Sequence, residues 1–129
     1  FGIEGFCESV AQEMAPFGVL VTIVEPGGAR TDFRYRSAHV AKSNPAYDGN
    51  PAHAFLKMLD PKNGLAAGDP VRMAARIIET ADKTEKDGPD AAPLRIVLGS
   101  QALAATLDVL RSRIDALSKQ TELARSTDF

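Results

Sequence analysis

The sequence has 129 residues, the length of one ordinary domain, and 44% of them are hydrophobic and 25% charged. Its 15 basic and 17 acidic residues nearly balance, which argues against the basic face that nucleic-acid binding requires. No apolar run approaches the roughly 20 residues that cross a bilayer, and the chain opens at Phe1 without an apolar leader, so we expect neither a membrane span nor a signal peptide.

The first predicted element is a helix over residues 1–17. Its apolar residues recur at three- and four-residue steps, the spacing of an amphipathic helix. The helix is predicted to end at Gly18, since glycine adopts the left-handed conformation without a steric penalty. Gly2 and Gly5 leave two interpretations open: they allow close helix–helix approach at a subunit interface, or the helix merely tolerates them.

A buried strand is predicted next, over residues 19–24. The run Val-Leu-Val-Thr-Ile-Val is almost entirely apolar and does not alternate, which is typical of a strand covered on both faces of a parallel sheet. A turn follows at residues 25–28, where Pro26 is expected to end the strand. A helix, a short turn and a buried strand in this order indicate an α/β fold.

Residues 29–68 form an irregular region in this interpretation, with three prolines and both histidines. Loops of this length are usually lids or other functional segments. A short helix is predicted within the region, over residues 52–59.

The last third of the chain is predicted to hold two more helices and a strand. Asp69 caps a helix that Pro70 begins and whose apolar stripe runs to residue 81. A polar connection follows over 83–93, then a strand over 94–98. The final helix is predicted to begin with Ser100 as its cap and to end before residues 126–129.

Residues 1–33, FGIEGFCESVAQEMAPFGVLVTIVEPGGARTDF, resemble the segment that follows the catalytic Tyr-x-x-x-Lys in short-chain dehydrogenases/reductases. The family's Pro-Gly-x-x-x-Thr is matched by Pro26-Gly27-Gly28-Ala29-Arg30-Thr31. Its later order of substrate loop, Asp-Pro helix start, short strand and final helix is also similar. The resemblance implies that residues 1–129 are the C-terminal half of one doubly wound, Rossmann-like α/β domain with a substrate-loop region at 29–68.

The resemblance also implies a nicotinamide cofactor, NAD or NADP, beside the Pro-Gly segment. In doubly wound sheets, ligands lie at the carboxyl ends of the strands, where this segment follows the predicted strand. The implied cofactor-binding residues are Pro26, Gly27, Gly28, Ala29 and Thr31, and the implied substrate-binding residues are Phe33 and Tyr35. The alternative interpretation is that Pro26-Gly27 is only a turn that ends a strand.

No catalytic residue is expected among these 129 residues. The resemblance places the family's catalytic Lys immediately before Phe1, and its Tyr four residues ahead of that Lys. Neither Tyr35 nor Tyr47 is followed four positions later by Lys, because His39 and Pro51 stand there. A glycine-rich phosphate loop is also absent from the sequence, so we expect the isolated chain to be inactive.

Other residues suggest weaker possibilities. Cys7 could pair with His39 or His53, but its place on the apolar stripe of the first helix favours a small buried core residue. A lone cysteine fits a cytoplasmic protein, and one cysteine with two histidines lacks the ligand spacing of a metal site. Two interpretations are open for Arg34 and Arg36: their side chains contact a substrate, or they are exposed to solvent.

The function that we infer from the resemblance is the NAD(P)-dependent interconversion of a small carbonyl compound and an alcohol. This chain would supply the nicotinamide-side loop, the substrate loop and an interface helix. We expect a homo-oligomer that forms through the helix of residues 1–17, and an isolated chain that is unstable or associates through this helix and an uncovered strand edge. The alternatives are a cofactor-binding regulator without catalysis and a truncated folding or dimerisation partner.

Overall fold

The computed structural model describes residues 1–60, 62, 64–88, 91 and 93–129, without the side chains of Arg34, Tyr35 and Met58. The described part of the chain contains five α-helices and two β-strands and has the predicted α/β class. In chain order the elements are α1 (Gly2–Met14), β1 (Ile23–Pro26), α2 (Pro51–Leu59), α3 (Pro70–Asp87), β2 (Arg95–Leu98), α4 (Ser100–Ser118) and α5 (Thr121–Arg125).

The two strands form a parallel pair in which Ile23 lies opposite Arg95 and Pro26 opposite Leu98. The predicted bounds of the first strand, 19–24, are therefore wrong, although its existence and the parallel pairing are confirmed. The physical reason is the length of the partner: β2 offers four residues for pairing, and these meet residues 23–26. Pro26 can take the last paired position because a different amide, that of Gly27, donates to the Leu98 carbonyl at 2.8 Å.

One edge of β1 has no strand beside it within the described residues. The Ile23 and Gly27 amides donate to the Leu94 and Leu98 carbonyls of the other strand, each at 2.8 Å. Because backbone N–H groups alternate in direction along a strand, the amide of Val24 points to the opposite, uncovered edge. The expected uncovered strand edge is therefore present in the structure.

The C-terminal end of α1 follows the sequence pattern. After Met14 the chain tightens into a 3₁₀ turn over Ala15–Phe17, and Gly18 then adopts the predicted left-handed conformation at φ 72°. Its amide donates to the Ala15 carbonyl at 3.0 Å and so satisfies one of the helix's free carbonyl groups.

The start of α3 is also confirmed, but its end lies later than predicted. The Asp69 carboxylate accepts hydrogen bonds from the amides of Val71 at 2.9 Å and Arg72 at 3.2 Å. The helix then continues through Asp87, so the prediction of a polar connection from residue 83 is wrong for residues 83–87. Those residues are polar because they face solvent, and Lys and Glu favour helix. Gly88, at φ 86°, ends it.

The last helical region differs from its prediction in two respects. Gly99, at φ 111°, occupies the cap position of α4, and Ser100 is the first helical residue rather than the cap. The helix is also broken after Ser118, and the short α5 follows it. The prediction that the chain leaves the helix from residue 126 is confirmed.

Helices α1 and α4 lie over the same face of the strand pair. Arg95 of β2 forms ion pairs with Glu4 at 3.5 Å and Glu8 at 3.0 Å, both on α1, and with Glu25 of β1. A cavity of about 640 Å³ lies between these residues and α4. These ion pairs join α1 to the strands.

The chain buries little of its apolar surface. No described residue is fully buried, and the strand residues other than the exposed Pro26 are half-buried. The accessible surface is 10388 Å², whereas a compact protein of 13.8 kDa exposes about 6,600 Å². Cys7, predicted to be a buried core residue, is only half-buried, as are Val10 and Met14 on the same face of α1, because the described residues form no fully buried core. Within the described residues, no helix is both long and apolar enough to cross a membrane.

Candidate functional site

The predicted cofactor segment begins where β1 and β2 end side by side. Pro26 lies opposite Leu98, and the next residue on each strand is a glycine, Gly27 or Gly99. Residues 27–31 thus leave the sheet at its carboxyl edge, which is the edge where doubly wound folds bind ligands.

Gly27 is required by the packing of the chain itself. A Cβ atom at this position would lie 2.9 Å from the Cβ of Ala102 on α4 and 3.2 Å from the Leu98 carbonyl oxygen. Atoms at these distances overlap, so only glycine allows α4 to approach the end of β1 this closely. The strand-ending interpretation of Pro26-Gly27 has this physical basis, and contact with a nicotinamide ring stays a prediction.

The two ends of the substrate-loop region are held together by backbone hydrogen bonds, and we call residues 28–30 and 66–68 the loop neck. The Gly68 amide donates to the Gly28 carbonyl at 3.0 Å, and the Arg30 amide donates to the Gly68 carbonyl at 2.8 Å. The Arg30 Nε also donates to the Ala66 carbonyl at 3.2 Å. The neck fixes the backbone of the predicted cofactor segment against the start of α3.

Sequence reasoning did not identify Gly68 as part of this site. A Cβ atom on Gly68 would lie 2.6 Å from the Gly28 carbonyl oxygen and would also overlap the methyl group of Met73. One feature of the sequence could have identified it: a glycine stands directly before the Asp69-Pro70 helix start. Glycine is common where the backbone passes close to another segment.

The neck leaves polar groups of the predicted cofactor segment available. The amides of Gly28 and Ala29 donate no hydrogen bond to another described residue. The Thr31 side chain is exposed, and its hydroxyl oxygen accepts only a long hydrogen bond, 3.4 Å, from the Phe33 amide. Amides and hydroxyls donate hydrogen bonds, and the oxygen atoms of a carboxamide or a phosphate accept them, so the chemistry of these residues fits the part of a nicotinamide cofactor that they would hold.

The predicted substrate residues lie in a separate part of the loop. Phe33 begins a π-helical turn, Phe33–Ser37, and lines a cavity of about 510 Å³ that is bounded by residues 33–59. The side chains of Tyr35 and Arg34 lie outside the described residues. Arg36 faces solvent and pairs with Asp32 at 3.7 Å, in agreement with the solvated interpretation.

Comparison with known proteins gives the family. The crystal structure of a short-chain dehydrogenase from Streptomyces avermitilis matches with a TM-score of 0.74 and 34% sequence identity, over 98% of this chain and 43% of that one. The chain belongs to the short-chain dehydrogenase/reductase family. Oxidoreductase calM of Penicillium decumbens is 31% identical over 128 residues, and oxidoreductase BOA17 of Botryotinia fuckeliana is 30% identical over 103. No family model matches the chain.

The chain spans less than half the length of these relatives. The match with calM includes 96% of this chain and 40% of calM. The match with BOA17 includes 80% of this chain and 35% of BOA17. The Tyr-x-x-x-Lys that the resemblance implies for the family does not occur in its sequence.

The remaining candidate groups do not come together as a thiol site or a metal site. No hydrogen bond joins Cys7 to either histidine in the described structure; His53 instead contacts Ser43 and Asp48. Across residues 1–60, 62, 64–88, 91 and 93–129, no three potential metal-ligating side chains are grouped closely enough to hold an ion.

The close approach of Gly27 to α4 gives a testable result for a short-chain dehydrogenase/reductase fold. We expect Gly27→Ala to lower the free energy of unfolding by about 1–3 kcal/mol, because the new methyl group overlaps the Ala102 methyl. Ala102→Gly removes that methyl group, so the double variant should recover part of the loss. Chemical denaturation of the two single variants and the double variant measures the coupling. Additive effects would contradict this packing role.

Proposed function

We propose that the protein that contains this chain is an NAD(P)-dependent oxidoreductase that interconverts a small carbonyl compound and an alcohol. The observation that carries the proposal is the pair of available amides, Gly28 and Ala29, next to the Thr31 hydroxyl at the carboxyl edge of two parallel strands. Two further observations support it: the matched structure is a short-chain dehydrogenase, and the matched relatives are named oxidoreductases.

In this proposal the chain orients the cofactor. The Gly28 and Ala29 amides donate hydrogen bonds to carboxamide or phosphate oxygens, and the Thr31 hydroxyl supplies a third contact. Pro26 restricts the backbone just before them because its ring fixes φ, and the loop neck holds that backbone from the other side. The bound nicotinamide supplies or accepts the hydride. The acid/base Tyr and its Lys belong to the segment that the resemblance places before Phe1.

The Thr31 hydroxyl is the side-chain contact that can be removed most cleanly. We expect Thr31→Val to raise the Kd for NAD(P)H by up to about tenfold, because one hydrogen bond contributes about 0.5–1.5 kcal/mol. Valine keeps the shape of threonine, so folding should change little. Fluorescence titration of the intact protein with NADH and NADPH measures both affinities.

Thr31→Ser is the matched control, since it retains the hydroxyl and loses only a methyl group. It should bind the cofactor within about threefold of the wild type, on the same hydrogen-bond scale. A Kd that Thr31→Val leaves unchanged would argue against the role of Thr31. Cofactor binding without turnover of any carbonyl or alcohol would favour the non-catalytic regulator instead.

We also propose that α1 is the contact between copies of the protein, acting in the cytoplasm. The apolar side chains of Phe1, Ile3 and Phe6 on this helix are 82%, 70% and 63% exposed. Exposed apolar residues grouped on one helix mark an interaction surface. The single unpaired Cys7 suits a reducing compartment. The truncated-partner alternative predicts the same helix contact but no cofactor binding.

A further inference from the structure

Three side chains in the substrate-loop region form a continuous hydrogen-bonded chain. The Ser43 Oγ lies 3.4 Å from the Nε2 of His53, and the Nδ1 of the same ring lies 3.1 Å from the Asp48 Oδ1. An ionised carboxylate only accepts hydrogen bonds, so the Nδ1 carries the proton that it shares with Asp48. The neutral ring then has its lone pair on Nε2, facing the serine hydroxyl. This is the arrangement of a nucleophile, a general base and a group that orients the base.

Local sequence places the three residues at fixed positions. Asn44 caps a 3₁₀ turn over Pro45–Tyr47 by accepting from the Ala46 amide at 3.0 Å, and Asp48 ends that turn. Asn50 caps α2 by accepting from the Ala52 amide at 2.9 Å. Two consecutive caps therefore set the path from Ser43 through Asp48 to His53 on the first turn of the helix.

The base is sheltered and faces a cavity. His53 is only 16% exposed, whereas the Asp48 carboxylate that orients it is 74% exposed on the solvent side. Ser43 and His53 both line the cavity of about 510 Å³, and Asp48 is not among its lining residues. The Tyr47 ring lies beside that of His53, tilted by 53° and with the two centroids 6.3 Å apart. A nucleophile and base directed into a cavity, with the orienting group outside it, suit reaction with a bound molecule.

We propose that Ser43, His53 and Asp48 form a second catalytic site, which hydrolyses carboxylic esters with an apolar acyl group. The cavity walls give the substrate class: they are largely apolar, with contributions from Phe33, Ala38, Val40, Ala41, Leu56 and Leu59. No carboxylate of the described residues lines them. The volume lies within the range of roughly 300–1,000 Å³ typical of small-molecule sites. This activity is separate from hydride transfer and does not rest on it.

The reaction needs only water as a second reactant. The Ser43 Oγ forms a bond to the ester carbonyl carbon while His53 Nε2 takes the hydroxyl proton. The carbon–oxygen bond to the alcohol breaks, and the alcohol leaves with that proton. Water then attacks the acyl-serine, passing its proton through His53 back to Ser43, and the carboxylic acid is released. The amides of Ser43 and Asn44, which donate to no other described residue, are available to the carbonyl oxygen.

Serine labelling locates the nucleophile directly. The intact protein, produced from its native gene, is treated with a fluorophosphonate probe and digested with trypsin. Cleavage after Lys42 and Lys57 yields a peptide, residues 43–57, in which Ser43 is the only serine, and Ser37 falls in the neighbouring peptide 37–42. We expect the adduct on the peptide 43–57, and we expect Ser43→Ala to abolish it.

Ester hydrolysis tests the three roles. With p-nitrophenyl butyrate as substrate, Ser43→Ala and His53→Gln should each lower kcat/KM by about 100-fold or more, and Asp48→Asn by at least about tenfold. Ser112→Ala is the matched control, because Ser112 is exposed on α4 and does not line this cavity, and it should retain the wild-type rate. Circular dichroism checks that each variant folds. No adduct on peptide 43–57 of the wild type, or a rate that Ser43→Ala leaves unchanged, overturns the proposal.

Discussion

A polypeptide limited to residues 1–129 is expected to self-associate rather than to sediment as a monomer of 13.8 kDa. Its accessible surface exceeds that of a compact protein of the same mass by roughly 3,800 Å². Folded monomers rarely leave so much surface uncovered, and much of it here is apolar. Association is the simplest way to cover it.

Two surfaces account for the expected association. The uncovered edge of β1 presents the backbone amide of Val24, which can pair with a strand from another molecule. On α1, the apolar side chains of Ile3 and Phe6 face solvent. Complete burial of each such side chain would contribute roughly 1.5–3 kcal/mol, so a few of them are sufficient to drive association.

Sedimentation velocity over a series of protein concentrations measures this association. The variant Ile3→Gln/Phe6→Gln should shift the distribution toward the monomer, because it removes two apolar side chains from α1. Leu123→Gln is the matched control, since Leu123 is 68% exposed on α5 and belongs to neither of these two surfaces, and it should leave the distribution unchanged. A stable monomer at every concentration would mean that the exposed surfaces do not bind one another.

Features that depend on local chemistry could be predicted from the sequence. The end of α1 at Gly18 and the cap of α3 at Asp69 follow from residue type alone, and the structure confirms both. The bounds of β1 could not be predicted in this way, because they are set by the four residues of a partner strand about 70 positions later.

The same distinction applies to the candidate sites. The segment 26–31 was recognisable because its residues are consecutive and match a family motif. Gly68 was missed because its contact with Gly28 joins positions forty residues apart and leaves no periodic pattern in the sequence. Ser43, Asp48 and His53 were missed for a different reason: common polar residues at five-residue spacings match no regular element, and only the two caps bring them together.

Gly68→Ala is expected to damage both stability and cofactor binding, because it disrupts the loop neck. The added methyl group would lie 2.6 Å from the Gly28 carbonyl oxygen, a backbone atom that can move only if the predicted cofactor segment moves with it. Such overpacking typically costs about 1–3 kcal/mol. Displacement of the Gly28 and Ala29 amides would remove two hydrogen bonds to the cofactor under the proposed function. The loss of these two hydrogen bonds should raise the Kd for NAD(P)H by about tenfold or more.

Two control variants separate the overlap with the Gly28 carbonyl from two other causes: the addition of any methyl group to the loop neck, and the overlap with the Met73 side chain. Gly28→Ala adds a methyl group to the opposite segment of the loop neck. This methyl group would lie at an ordinary contact distance of 3.6 Å from the Ala66 Cβ. It should therefore change the free energy of unfolding by less than about 1 kcal/mol. Adding Met73→Ala to Gly68→Ala relieves only the overlap with the Met73 methyl group, so neither stability nor affinity should recover. Full recovery in that double variant would show that the side chain of Met73, rather than the carbonyl of Gly28, is what excludes a larger residue at position 68.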